Sequence, residues 1–247
     1  MPDLPRLPTE LHECIVDAIY EDRASYPAFS ASCSALRSCS LVCRTWRPRS
    51  QRWLFHAVEL SDAKALYRFV TLLETAPSLA GYVRILHLIG RHHDPRSVVA
   101  LFPALLRSRL PNLCTLSIIH VAEGLDGAPE PEHRRHCEDR AAQGGSNRKT
   151  LPCLPLHPRF PTLLAPFATI RKLYLNGVKF PSFGDLARTL CAFRELRDLR
   201  CSQVQWAVLG SVPQCLLQAH ATESSGILPH LSTLKVRTQP GMSVQLC

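Results

Sequence analysis

Much of what would mark a membrane, secreted or catalytic protein is missing from this chain. No run of about 18 uninterrupted apolar residues occurs, which argues against a membrane span. The first residues, Met1-Pro2-Asp3-Leu4-Pro5-Arg6, lack the basic stretch and apolar core of a secretory signal. No glycine-rich phosphate loop, no Gly-x-Ser-x-Gly elbow and no His-Glu-x-x-His pair is present. Aromatic residues make up only 7%, and no groove-reading motif accompanies them, which disfavours a nucleic-acid-binding module.

What is present reads as a globular protein, with 46% hydrophobic and 20% charged residues in 247. The 11 cysteines are an odd number without a repeated spacing. In a chain without an export signal they read as reduced thiols packed as small hydrophobes, and the expected compartment is cytoplasm or nucleus. The formal net charge is +9. Residues 1–60 are balanced: Arg6, Arg23, Arg37, Arg44, Arg47, Arg49 and Arg52 oppose Asp3, Glu10, Glu13, Asp17, Glu21, Asp22 and Glu59. The excess therefore lies further on, where it can attract nucleic acid, an anionic membrane or an acidic protein.

Near the N-terminus, Leu7-Pro8-Thr9-Glu10-Leu11 starts a helical pattern with Thr9 as N-cap. Leu11, Ile15, Ala18 and Ile19 form one apolar face. Pro27 and the Ser/Ala-rich stretch from Ser25 to Ser34 read as a loop. A second helix is predicted from near Ser34, with Leu36, Cys39, Cys43 and Trp46 along one side and Pro48 limiting its length. Periodicity alone fits two helices that merely cap the next domain.

Leu-Pro-Thr-Glu-Leu followed by Leu41-Val42-Cys43-Arg44-Thr45-Trp46 resembles the F-box, over roughly residues 5–55. The stretch from Tyr20 to Ala35 is longer than usual for that family. The resemblance implies docking onto the Skp-family adaptor of an SCF-type ubiquitin ligase, and through it onto a cullin. Leu7, Pro8, Leu11, Ile15 and Ile19 would then form one part of the adaptor surface; Leu41, Val42 and Trp46 would complete it.

Beyond residue 55 a Leu-x-x-Leu-x-Leu-like pattern recurs. Its instances are Val83/Leu86/Leu88, Leu113/Leu116/Ile118, Ile170/Leu173/Leu175, Leu196/Leu199/Cys201 and Leu231/Leu234/Val236, with Phe55/Val58/Leu60 at the junction. Helical stripes intervene: Leu66, Phe69, Val70 and Leu73; Val98, Leu101, Phe102 and Leu105; Phe183, Leu186, Ala187 and Leu190. Short strands alternating with such helices predict a parallel sheet whose units gain a core by stacking. The expected architecture is α/β: an F-box-like helical domain over 1–55, then an irregular leucine-rich-repeat solenoid over 56–247. An ordinary doubly wound α/β domain is the alternative, but the glycine-rich turn it favours after the first strand is absent.

Residues 123–150 are rich in Gly, Pro, Glu, Arg and Gln, cannot offset their ordering entropy by burial, and read as a disordered insertion. Leu151/Leu154/Leu156 matches the strand pattern, yet Pro152, Pro155 and Pro158 reduce it to an irregular or edge segment. After the last strand come only Thr238-Gln239-Pro240-Gly241 and a short tail, without a polar cap. The chain therefore reads as a truncated member, a short gene product or half of an assembly.

Residues flanking the buried strand positions would line a concave face: Ile85, His87, Ile89; Thr115, Ser117, Ile119; Lys172, Tyr174, Asn176; Asp198, Arg200, Ser202; Thr233, Lys235, Arg237. Small and apolar groups come first and cations last, with Tyr174 as an aromatic anchor. His87, Ser117, Lys172, Tyr174, Arg200, Lys235 and Arg237 are thus the predicted contacts to a protein substrate, acidic or phosphorylated at one end. Plain solvation of these cations is the competing reading. His133, His136 and Cys137 lack a fourth ligand, Cys39 and Cys43 are better explained by packing, and His92-His93-Asp94 reads as a polar loop and cap. No metal, cofactor or catalytic set is expected. The leading expectation is a non-catalytic substrate-recognition adaptor, similar to the expanded F-box families of fungi. A protein-binding scaffold with no ubiquitin role is the alternative.

Overall fold

A computed structural model describes residues 8–20, 26–90, 97–120, 153–157, 159–208 and 230–237, and these described residues form seven α-helices and nine strands. Leu7, His92-His93-Asp94, the expected insertion at 123–150 with His133, His136 and Cys137, Leu151 and the tail beyond Arg237 lie outside the described residues. The fold is mixed α/β around parallel sheets, and no described helix is long and apolar enough to cross a membrane.

Three helices come first: α1 (Thr9–Ile19), α2 (Tyr26–Val42) and α3 (Trp46–Leu54). Three details differ from expectation. Pro8, not Thr9, is the N-cap of α1, and no side chain caps it. The Ser/Ala-rich stretch is helical from Tyr26, because Pro27 falls in the first turn, where its missing N–H costs nothing. Trp46 and Pro48 belong to a third helix, with Pro48 in its first turn, so the proline opens that helix rather than ending the second one.

The strands follow: β1 (Ala57–Leu60), β2 (Ile85–Gly90), β3 (Thr115–His120), β4 (Leu154–Pro155), β5 (Lys172–Asn176), β6 (Val178–Ser182), β7 (Asp198–Ser202), β8 (Gln205–Val208) and β9 (Thr233–Arg237). Six of them make one parallel sheet in the order β1-β2-β3-β5-β7-β9. Its order never reverses, unlike that of a doubly wound sheet. Val58, Leu86, Leu116, Leu173, Leu199 and Leu234 stand in one row across it. Leu86, Leu116 and Leu173 are at most 1% exposed. Period-2 alternation is the reason, since every second side chain points at the covering helices.

Those helices are α4 (Ala63–Thr75), α5 (Val98–Leu105), the short α6 (Phe160–Leu163) and α7 (Phe183–Ala192). The α4 stripe Leu66, Phe69, Val70 and Leu73 is buried as its spacing requires. Asp62 caps α4 by accepting from the Ala65 N–H at 2.7 Å, and Ser182 caps α7 by accepting from the Asp185 N–H at 3.1 Å. Phe102 on α5 lies 5.5 Å from Phe167 and 6.2 Å from Phe160, joining neighbouring units through one aromatic cluster.

A second parallel sheet, β4-β6-β8, was not foreseen. It arises because the chain turns directly from β5 into β6 at Gly177 (φ 67°) and from β7 towards β8 at Gln203 (φ 54°). The proline-rich segment Leu154–Pro155 is its two-residue edge strand. The last row departs from expectation. Leu234 is 53% exposed, because no described strand or helix packs beyond β9.

Candidate functional site

Two sets of apolar side chains in the helical unit remain in solvent. On α1, Val16 is fully buried, while Leu11 and Ile15 on the other side are 49% and 42% exposed. On α2, Leu36 and Cys39 turn inward, whereas Leu41 and Val42 at its C-terminal end are 85% and 65% exposed. Pro8 is exposed and Ile19 half-buried. Trp46 departs from its expected role. It is half-buried with its ring 5.5 Å from His12, so part of its surface packs α3 onto α1.

The helical unit is held together by a polar cluster that sequence reasoning missed. Arg49 Nε donates to Asp17 Oδ1 at 2.7 Å, its second nitrogen reaches Oδ2, and Trp53 Nε1 donates to Oδ1 at 2.6 Å. The Arg49 hydrogen bond holds the Asp17 carboxyl below the usual carboxylate range, with burial opposing it. Tyr20 stacks on Trp53 at 4.3 Å between ring centroids and lies 2.6 Å from His56 Nδ1 through its hydroxyl. The His56 carbonyl in turn accepts from the Arg84 and Ile85 N–H groups, so the cluster runs from α1 into the first rung of the sheet. The available signal was the i, i+4 spacing of Arg49 and Trp53, which became visible only once Pro48 was placed at a helix start.

On the uncovered face of the large sheet, the middle row reads Glu59, His87, Ser117, Tyr174, Arg200 and Lys235 in register. Burial pushes the Glu59 carboxyl up and the His87 imidazole down, in each case by disfavouring the charged form. Ser117 is only 4% exposed, and this corrects its assignment as a contact residue: its larger neighbours leave it as floor. The Arg200 guanidinium lies 5.0 Å over the Tyr174 ring and pairs with Asp198 at 3.0 Å. The predicted anchor and its nearest cation are therefore already in contact with each other. Lys172 and Lys235 are exposed. Arg237 is in register with Ser202, and its side chain lies outside the description.

An open groove of about 680 Å³ between α4 and α5, lined by Lys64, Tyr67, Arg68, Thr71 and Leu101, was not anticipated and contains none of the predicted contacts. Among the described residues no three His, Cys, Asp or Glu side chains are grouped to hold a metal ion. Compared with models of known families and with curated proteins, the chain matches none.

Proposed function

We propose that the protein is a non-catalytic adaptor: an F-box-type helical unit docks on a Skp-family adaptor, and a leucine-rich-repeat solenoid captures a protein for ubiquitin transfer by other subunits. The observation that carries this reading is the exposure of Leu11, Ile15, Leu41 and Val42 beside the buried Val16 and Leu36 of the same helices. A helical unit of this size has little core of its own, so large aliphatic groups left in water favour a covering partner. The solenoid half rests on the single-direction strand order and the unbroken row from Val58 to Leu234. Catalysis by such a molecule consists of proximity, holding a target beside an activated ubiquitin carrier.

The test is capture of purified Skp-family adaptor by the full chain, compared with the Leu11→Asp/Ile15→Asp double variant. Both positions are solvent-exposed, so the variant keeps its thermal midpoint while capture is lost. Capture that survives the substitutions rejects the docking surface.

A second reading has its own observation. Helix α3 packs against β1 and the 3-10 turn Pro77–Tyr82, so the N-terminal helices also close one end of the sheet. A protein-binding scaffold without a ubiquitin role would need only that contact, and it predicts no adaptor capture by either form.

A further inference from the structure

Because the six strands of the large sheet are parallel and in register, every loop that leads into one of them arrives at the same edge. That edge is an arginine edge. The loops over 76–84, 106–114, 164–171 and 193–197 carry Arg84, Arg107, Arg109, Arg171, Arg194 and Arg197, no lysine, and a single acid, Glu195. Arg109 is engaged by Glu74 at 2.9 Å and Arg171 by Glu195 at 3.0 Å. Arg84, Arg107, Arg194 and Arg197 are exposed and have no ion-pair partner among the described residues.

The loops are tied to one another. Cys114 N–H donates to the Arg84 carbonyl at 3.0 Å, Arg171 N–H to Cys114 at 2.8 Å, and Arg197 N–H to Arg171 at 2.7 Å. Side chains add to this ladder: Asn112 Nδ2 donates to the Gly81 carbonyl at 2.7 Å, and Thr169 Oγ1 to the Leu113 carbonyl at 3.0 Å. Arg84, Cys114, Arg171 and Arg197 thus form a column with the strand spacing of about 4.8 Å, or roughly 14 Å from first to last. Ser108, between Arg107 and Arg109, is held at φ 61°, a left-handed conformation that a serine seldom adopts.

We propose that this edge binds an extended acidic polypeptide segment lying across the rungs, its carboxylates taken by Arg84, Arg107, Arg194 and Arg197. Side chains on one face of an extended segment recur about every 6.8 Å, so the column spans about three acidic residues at alternate positions. Guanidinium groups suit this partner because each grips a carboxylate through two parallel N–H bonds. Nucleic acid fits less well. Of the edge's aromatic rings Phe167 and Phe193 are buried and Tyr82 is half-buried against the core, and Glu195 holds a negative charge within the row. The surface is distinct from the exposed residues of α1 and α2, and it stands whether or not those dock an adaptor.

The experiment titrates the full chain into a fluorescein-labelled alternating Glu-Thr decapeptide at low salt, reading anisotropy, with duplex DNA of matched charge in parallel. The wild type binds the peptide, Arg84→Gln/Arg197→Gln weakens it at least about tenfold, and Arg84→Lys/Arg197→Lys falls between. Lys64→Gln/Lys179→Gln, on α4 and β6 away from this edge, leaves the affinity within about twofold. All four positions are exposed, so folding is unaffected and circular dichroism verifies it. Peptide binding that ignores the Arg84/Arg197 pair overturns the proposal. DNA binding that is tighter than peptide binding and depends on the same arginines also overturns it, in favour of a nucleic-acid surface.

Discussion

Leu86, Leu116, Leu173, Leu199 and Leu234 occupy one row of the large sheet, and truncating each to alanine gives an internally controlled series. Their exposures are 0%, 0%, 1%, 4% and 53%. Leu→Ala removes three carbons, worth about 2.4 kcal/mol of transfer free energy at about 0.8 each. A cavity left in a fully enclosed site brings the total to about 3 kcal/mol, within the usual range for such substitutions. At Leu234 about half the transfer term applies and no closed cavity forms, so the cost is about 1 kcal/mol. Urea unfolding followed by far-ultraviolet circular dichroism reads these differences as midpoint shifts at constant slope. A loss below about 1 kcal/mol for Leu173→Ala would refute the register of the central strands. A Leu234→Ala loss equal to that of Leu173→Ala would show that the core side of β9 is covered.

Two further outcomes follow from the polar cluster and from one turn. Asp17 has a depressed carboxyl pKa in the folded protein, so its pairing with Arg49 stabilises fully above the unfolded value of about 3.9 and is lost as pH falls through the lower folded value. Trp53 fluorescence of the wild type should therefore change on acidification below about pH 4. Asp17→Asn should already be altered at neutral pH and lack that step; identical acid profiles would remove Asp17 as the clamp. Gly177→Ala should destabilise by at least about 2 kcal/mol, because φ is 67° and the new Cβ would lie 2.8 Å from the His120 Cβ. Gly81→Ala, whose nearest atom is 3.9 Å away, is the neutral control in the same urea assay.

How legible these features were depended on how local their causes are. The row from Val58 to Leu234 and the α4 stripe could be read directly, because alternation and the i, i+3, i+4 spacing are set by residues within one element. Pro27 and Pro48 misled, since a proline signals a break or a beginning according to its place in the turn, which sequence alone does not supply. The second sheet escaped notice because it depends on backbone reversals at Gly177 and Gln203, only one of which is a glycine. The surface candidates were the least legible. Exposure of Leu41 and Val42 was expected only from a family resemblance. Ser117 and Trp46 were assigned outward roles that packing partly or wholly withdraws, and the Asp17–Arg49–Trp53 cluster joins residues far apart in the chain. In the arginine edge the informative property is topological. Six residues scattered over the sequence share an edge only because the strands all point one way.

The pairing of β3 with β5, Leu116 beside Leu173, leaves no gap in the sheet although the long stretch 121–152 separates them in sequence. Strand β3 ends at His120, on the edge opposite the arginine loops. Growth or shrinkage of the chain there breaks no rung, and each doubling of its length costs only about 0.6 kcal/mol of closure entropy. At one edge of the sheet the chain leaves β3, and at the other Arg84, Cys114, Arg171 and Arg197 are joined in one backbone ladder. New sequence can be acquired at the first without disturbing whatever the second has come to hold.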